Sequence, residues 1–336
     1  DKDVRLEFFR WLSKTMLSDA QAIEAASKAY LDAPGESTRR ALASATRPPI
    51  KRLVERLNEA PQATFKLVKM REHLLAFAAS EPELAPLDEA FASLFTYWFN
   101  KGFLELRRVD WQTPAETLEK IIKYEAVHAL QGWDDLRRRI APGDRCLYGF
   151  FHPRLPNEPL IFVEVALTNA VPTSIQAILA PEREPLAPGR AKVATFYSIS
   201  NCHDGLRGIP LGSFLIKQVV SDLKDRFPEL DTFVTLSPIP GFRRWLRKAL
   251  DQGELAAPQG LATDDAALEA QDSEETRRFL QSSCAYYLSM VRHSTGRPMD
   301  PVARFHLGNG ARLEQINPGA DTSEKGVAQS YGLMVN

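Results

Sequence analysis

Cysteine is scarce in this chain: Cys146, Cys202 and Cys284 are the only three in 336 residues. They are too few and too scattered for a disulfide framework or a zinc site, so a reducing compartment is expected. The six histidines lack metal-ligand spacing, which argues against a metal centre. Charge of one sign is missing too, since 42 Lys and Arg stand against 43 Asp and Glu. That balance excludes a global attraction to nucleic acid or to an acidic membrane surface. No apolar run approaches the roughly 20 residues of a membrane-spanning helix, and no signal peptide opens the chain. Both ends read as trimmed. A cytoplasmic location is expected, with mitochondrial or peroxisomal signals left open. What is present is ordinary for a globular protein of two domains, with 44% apolar and 25% charged residues.

Residues 1–140 read as helix after helix. Val4, Leu6, Phe8, Phe9, Trp11 and Leu12 form an amphipathic stripe, and aromatics crowd the stretch from Leu87 to Phe103. Thr113, Pro114 and Glu116 predict a helix start with Thr113 as cap. This half is expected to be an all-α bundle whose aromatic stripes are core, with an oligomer interface as the alternative. After Pro142-Gly143 the period changes. Cys146–Phe151, Leu160–Leu167, Lys192–Ser200 and Asp231–Leu236 predict strands, and Phe214–Leu223 and Phe242–Leu250 predict helices. Residues 252–275 read as a surface excursion with some helix. Two β runs around Gly308-Asn309-Gly310 predict a hairpin. The second half, 141–336, reads as α/β or α+β around one mixed sheet, and with the helical bundle over 1–140 the expected fold class of the whole is α+β in two domains.

Three places could carry chemistry. The turn from Asn201 to Ser213 joins a strand to an apolar helix. Gly205, Gly208 and Gly212 let a ligand approach backbone, Arg207 adds a charge suited to phosphate, and a helix start offers free N–H groups. It is neither a Walker loop nor a dinucleotide fingerprint, and an empty strand–helix connection fits it equally well. Ser237 follows an apolar strand and precedes Pro238, Ile239, Pro240 and Gly241. It reads either as a helix cap or as a hydroxyl held at a strand's C-terminal end, where open sheets place ligands. His306, in Val302-Ala-Arg-Phe-His-Leu307, falls by alternation on the more polar face of a strand. It is the best-placed general acid or base in this half, with His152 and His203 as weaker rivals. Arg243, Arg244, Arg247 and Lys248 make a basic helix face that reads as solvated.

Taken in register, many segments resemble the malonyl-CoA decarboxylase family, in its bacterial style. They include Phe99-Asn-Lys-Gly-Phe-Leu104, Leu118-Glu-Lys-Ile-Ile-Lys-Tyr-Glu-Ala-Val-His128, Phe151-His-Pro153, Pro159-Leu-Ile-Phe-Val-Glu-Val-Ala-Leu167, Leu206-Arg-Gly208, Ser237-Pro-Ile-Pro-Gly-Phe242, Phe305-His306 and Asn309-Gly-Ala311. The resemblance implies a helical assembly domain and a catalytic domain of the N-acetyltransferase-superfamily type. In that fold two neighbouring strands splay and coenzyme A enters the gap. It implies decarboxylation of malonyl-CoA to acetyl-CoA, with Ser237 and His306 catalytic. Coenzyme A would be bound by Arg207, Gly208, Ile209, Pro210, Leu211, Gly212 and Ser213, with Ser198, Asn201 and His203 as accessory candidates. No metal or other cofactor is implied, because the thioester itself is the electron sink. The implied partners are malonyl-CoA and acetyl-CoA and a homo-oligomer, a tetramer in the family, with no nucleic acid or membrane. An acyl-CoA-dependent N-acyltransferase and a non-catalytic acyl-CoA-binding assembly protein are the alternatives. Pro210 departs from the family, which often has an acidic residue there, and Pro318-Gly319 replaces bulkier residues. A family tyrosine falls beyond Asn336.

Overall fold

The structure is a computed structural model that describes residues 1–271 and 273–336, and the side chains of these except at positions 188, 212 and 213. Six helices open the chain: α1 (Lys2–Thr15), α2 (Ala20–Asp32), α3 (Glu36–Thr46), α4 (Pro49–Leu57), α5 (Ala63–Ala78) and α6 (Ala85–Trp98). Strand β1 (Glu105–Val109) follows, then α7 (Ala115–Tyr124), α8 (Trp133–Ile140), β2 (Arg145–Phe151), β3 (Ile161–Thr168), α9 (Ile175–Leu179), β4 (Val193–Asn201), α10 (Gly212–Arg226) and β5 (Thr232–Thr235). The last part holds β6 (Ser237–Pro238), α11 (Phe242–Asp251), α12 (Asp265–Ala270), α13 (Glu274–Met290), α14 (Pro301–Gly308), β7 (Ile316–Asn317), α15 (Glu324–Ser330) and β8 (Met334–Val335).

The chain divides into two compact units. One comprises 1–105, 150–160 and 201–212, and the other 106–149, 161–200 and 213–336. The first is helical, as the apolar stripes predict. Its core packs Phe9 and Leu12 of α1, Leu67, Leu74 and Phe77 of α5, and Phe91 and Phe95 of α6, all buried. Arg71 of α5 is 3% exposed and donates to the carbonyls of Gly205 and Arg207 at 2.8 and 2.9 Å, while its Nε meets Asp88 at 2.7 Å. The glycine turn is thus fastened to α5 through a buried guanidinium.

The second unit is built on a sheet of order β1-β2-β3-β4-β5. The three strands predicted between Cys146 and Ser200 fall where expected. β1 does not follow from apolar alternation, because Glu105, Arg107 and Arg108 interrupt it. β4 and β5 run parallel, paired from Val193↔Thr232 to Phe196↔Thr235. Beyond Phe196 β4 continues to Asn201, whereas the chain after Leu236 enters a second sheet of order β6-β8-β7. The two parallel neighbours therefore part, as the N-acetyltransferase-type expectation requires.

Four local expectations are corrected. The predicted hairpin is absent: His306 lies on helix α14, not on a strand. Asp300 caps that helix, Pro301 occupies its first position, and Gly310 follows it at φ 89°. Acidic cap, N1 proline and a left-handed glycine just past the end are the ordinary signals of a short helix. In α7 the cap is Pro114, and Thr113 instead accepts from the Asp110 amide. Residues 252–275 are not merely a surface excursion, because Leu268 of α12 is fully buried in the core formed by α11 and α13. Asp265 and Glu269 of α12 also neutralise Arg243, so the basic face of α11 is partly paired rather than simply solvated.

Candidate active site

Ser237 and His306, 69 residues apart, meet in the second unit. Ser237 Oγ lies 3.3 Å from His306 Nε2 and 3.0 Å from Thr235 Oγ1. Strand geometry explains the second contact: side chains two apart point to one face, so Thr235 stands beside Ser237. Ser237 is not a helix cap. It sits on β6, paired with Val335 of β8, and α11 begins only at Phe242. A serine hydroxyl has one proton to give. When Ser237 donates to Thr235, the His306 contact requires an Nε2–H donating to Ser237.

His306 and Thr235, the two partners of Ser237, line a cavity of about 590 Å³, within the roughly 300–1,000 Å³ of small-molecule sites. Its walls include Phe196 of β4, Thr232–Thr235 of β5, Lys217 of α10, His306, the 309–312 loop and Asn336. Asn336 steadies the floor. Its side-chain amide donates to the carbonyls of Thr235 and Pro172, and its Oδ1 accepts from Asn317 at 2.6 Å. Two cations line the cavity, and Arg312 is paired with Glu314 at 2.7 Å. Thr235 and Asn336 were missed in the sequence. The i−2 position to Ser237 on a strand was the available signal for the first.

His306 keeps some surface toward the cavity, yet burial pushes its pKa down to about 4. The imidazole is therefore neutral near pH 7 in the unliganded protein.

The other sequence candidates lie as follows. Ser198 is buried and donates to Glu125, 2.9 and 2.8 Å from its two oxygens. Glu125 also accepts from the amides of Val127 and His128. This buried polar group continues into Arg139, 3.1 Å from the fully buried Glu164. In the first unit, His203 is buried, with Nε2 3.1 Å from the Pro159 carbonyl and 3.4 Å from Glu158, and its ring packs edge-on against Phe65. Asn201 ends β4 and is exposed. In the turn, Gly208 has φ 81°, Ile209 and Leu211 are buried, and Arg207 and Pro210 are exposed. The amides of Arg207, Ile209 and Leu211 donate inside the segment to Asp204, Leu206 and Ile209. The side chains at Gly212 and Ser213 lie outside those described. Among the described residues no group of three or more His, Cys, Asp or Glu could hold a metal ion, and no helix is long and apolar enough to cross a membrane.

The buried titratable groups predict an acid-sensitive fold. Burial pushes His128 and His306 down to about 4 and lowers His152 and His203. Between pH ~6.5 and ~4 the unfolded chain then binds more protons on these groups, so stability falls on acidification. Glu164 acts oppositely. Burial, reinforced by Glu125, pushes it up to about 7, so its contribution is lost as pH rises through 7. Asp300 is also raised by burial. Four histidines against two acids leave a net loss toward low pH. The urea midpoint at pH 5 is expected to lie below that at pH 7.5; an equal or higher midpoint contradicts the assignment of these histidines as neutral.

The second unit is thus an α+β fold in which two parallel strands part and a serine and a histidine from distant segments converge. Residues 102–336 match the malonyl-CoA decarboxylase C-terminal domain and residues 17–99 the malonyl-CoA decarboxylase N-terminal domain, so the chain belongs to the malonyl-CoA decarboxylase family. Mitochondrial malonyl-CoA decarboxylase of Mus musculus is 40% identical over 302 residues, a match covering 80% of this chain and 61% of that protein. The chain thus spans about three fifths of the length of that curated relative. The crystal structure of malonyl-CoA decarboxylase from Rhodopseudomonas palustris superposes with a TM-score of 0.90 at 46% identity, covering 100% of this chain and 84% of that one. The enzyme from Agrobacterium vitis gives 0.93 at the same identity and coverage.

Proposed function

We propose that this protein decarboxylates malonyl-CoA to acetyl-CoA and CO2, a carbon–carbon lyase reaction, with Ser237 and His306 as its catalytic residues. The observation that carries the reading is the 3.3 Å contact between Ser237 and His306, the latter lining a cavity, in a chain of this family. Breaking the C2–carboxyl bond releases CO2 and leaves its electron pair on the thioester enolate, which then takes one proton at C2. The thioester is the electron sink, so the reading calls for no metal or redox cofactor.

The site must therefore stabilise the enolate oxygen and deliver a proton. Ser237 Oγ donates to the thioester oxygen as charge develops there. A single such donor is typically worth ~3 kcal/mol, or about a hundredfold in rate. The neutral imidazole of the free protein has one N–H and no charge to offer. The malonyl carboxylate supplies the missing influence, because an anion brought beside His306 raises its pKa again. His306 takes up a solvent proton as substrate binds and passes it to C2 after CO2 departs.

Coenzyme A is held by its phosphates at the Arg207–Ser213 turn in this reading. The amides of Arg207, Ile209 and Leu211 are already engaged and Pro210 has none. In this reading anion binding rests on the Arg207 side chain, the Gly208 amide and the start of α10. Ser198, Asn201 and His203 act as supports around this segment rather than in the chemistry. Assembly as a homo-oligomer, a tetramer by family resemblance, and a cytoplasmic location belong to the same reading. The half-exposed Phe8 and Trp11 of α1 fit the former. The test is to incubate the protein with malonyl-CoA and no amine. Formation of acetyl-CoA supports the reading. Turnover that appears only when an amine acceptor is added, or binding without turnover, overturns it.

A further inference from the structure

We propose that Asp300 is a positioning residue that sets the approach of Ser237 to His306, by tying the loop leaving Ser237 to the first turn of the helix that carries His306. Asp300 is 1% exposed. Its Oδ1 accepts from the Val302 and Ala303 amides, both at 2.9 Å, and so caps α14. Its Oδ2 reaches the Gly241 amide at 3.4 Å. One carboxylate therefore holds both segments.

The lever arms are short and stiff. Gly241 lies four residues past Ser237, and Pro238 and Pro240 between them fix two backbone φ angles. His306 lies six residues past Asp300 on a regular helix, a rise of about 9 Å. A shift of the Gly241 amide relative to the α14 cap is thus carried to the Ser237–His306 contact. The surroundings leave little slack. A Cβ on Gly241 would stand 2.3 Å from Tyr287 Oη and 3.6 Å from Asp300 Oδ2. Tyr287 itself is buried on α13, stacks on Trp245 of α11 and meets Phe242 at a tilt.

Capping alone does not explain an aspartate here. Serine or asparagine caps a helix about as well, whereas a buried ionisable carboxylate is costly to desolvate. What the carboxylate adds over those caps is a second acceptor oxygen, and that oxygen points to Gly241.

The proposal rests on the decarboxylase reading only in its activity measurement. Asp300→Asn and Asp300→Ser each keep an acceptor for the α14 amides and lose the anionic second arm. The first readout is the 15N resonance of His306 Nε2, with Ser237→Ala defining the resonance when the serine contact is gone. Asp300→Asn and Asp300→Ser are expected to move it toward the Ser237→Ala position. The second readout is malonyl-CoA turnover, with kcat expected to fall at least about tenfold and KM to change by less than about threefold. A wild-type His306 resonance together with wild-type kcat in Asp300→Asn overturns the proposal and leaves Asp300 a helix cap. If the wild-type protein does not turn over malonyl-CoA, the resonance alone decides, and the decarboxylase reading fails separately. Should neither variant fold, amide exchange in the wild-type protein decides. The Gly241 N–H is expected to be protected at least about a hundredfold, and exchange at the unprotected rate overturns the tie.

Discussion

His306→Ala is expected to lower kcat for malonyl-CoA by about 10²- to 10⁴-fold, the usual worth of a positioned acid–base group, with KM changed only a few-fold. The imidazole is half-buried at the cavity wall and carries no core packing comparable to Phe242 or Tyr331, so the fold is expected to survive its removal. His306→Gln, which keeps a polar group near Ser237 Oγ, is expected to lose nearly as much, because glutamine cannot take up and release the proton. Its acid stability is expected to improve, since one of the four depressed histidines is gone. Steady-state kinetics at pH 7.5 and urea titration at pH 5 read the two effects. A kcat within threefold of wild type removes His306 from the chemistry.

Gly205→Ala is expected to act on the glycine turn proposed to hold coenzyme A. A Cβ at Gly205 would stand 2.0 Å from the Val68 carbonyl oxygen and 2.9 Å from its carbonyl carbon. That is the backbone of α5, which cannot swing away as a side-chain tip would. The turn must lift, and the Arg71 bonds to Gly205 and Arg207 lengthen with it. Overpacking of this kind costs about 1–3 kcal/mol, and a kilocalorie lowers the melting temperature of a chain this size by roughly 1–2 °C. The expected result is a drop of about 1–5 °C. If the turn binds the phosphates as proposed, the kinetic signature is a KM for malonyl-CoA raised by more than kcat is lowered. Unchanged stability contradicts the packing argument. A loss confined to kcat contradicts the role given to the turn.

Much of this was legible in the residues. The helices of the first unit follow from their apolar stripes, and β2, β3 and β4 from their β-branched and aromatic runs. Ser237 and His306 were candidates on their own residues, each beside a bland alternative, and the resemblance of the surrounding segments is what set them above it. The misreading of α14 has a physical cause. Six residues from Val302 to Leu307 fit a two-residue alternation as well as a short helix, and Gly308-Asn309-Gly310 serves equally as hairpin turn or helix end. Asp300-Pro301 breaks the tie, because an acidic cap followed by proline favours a helix start. The buried group of Glu125, Arg139 and Glu164 could not be read at all. Charged residues signal surface until a partner is found, and these partners are 25 or more residues apart. Asp300 belongs to the same class: its second contact is 59 residues away.

The central claim is that Ser237 and His306 act as one catalytic unit on malonyl-CoA. The most direct measurement is a double-mutant cycle of kcat/KM for Ser237→Ala, His306→Ala and the double variant. Residues that act together are strongly non-additive. The double variant is therefore expected to lose about as much as the worse single variant. Losses that multiply, or a single variant with wild-type activity, would contradict the account.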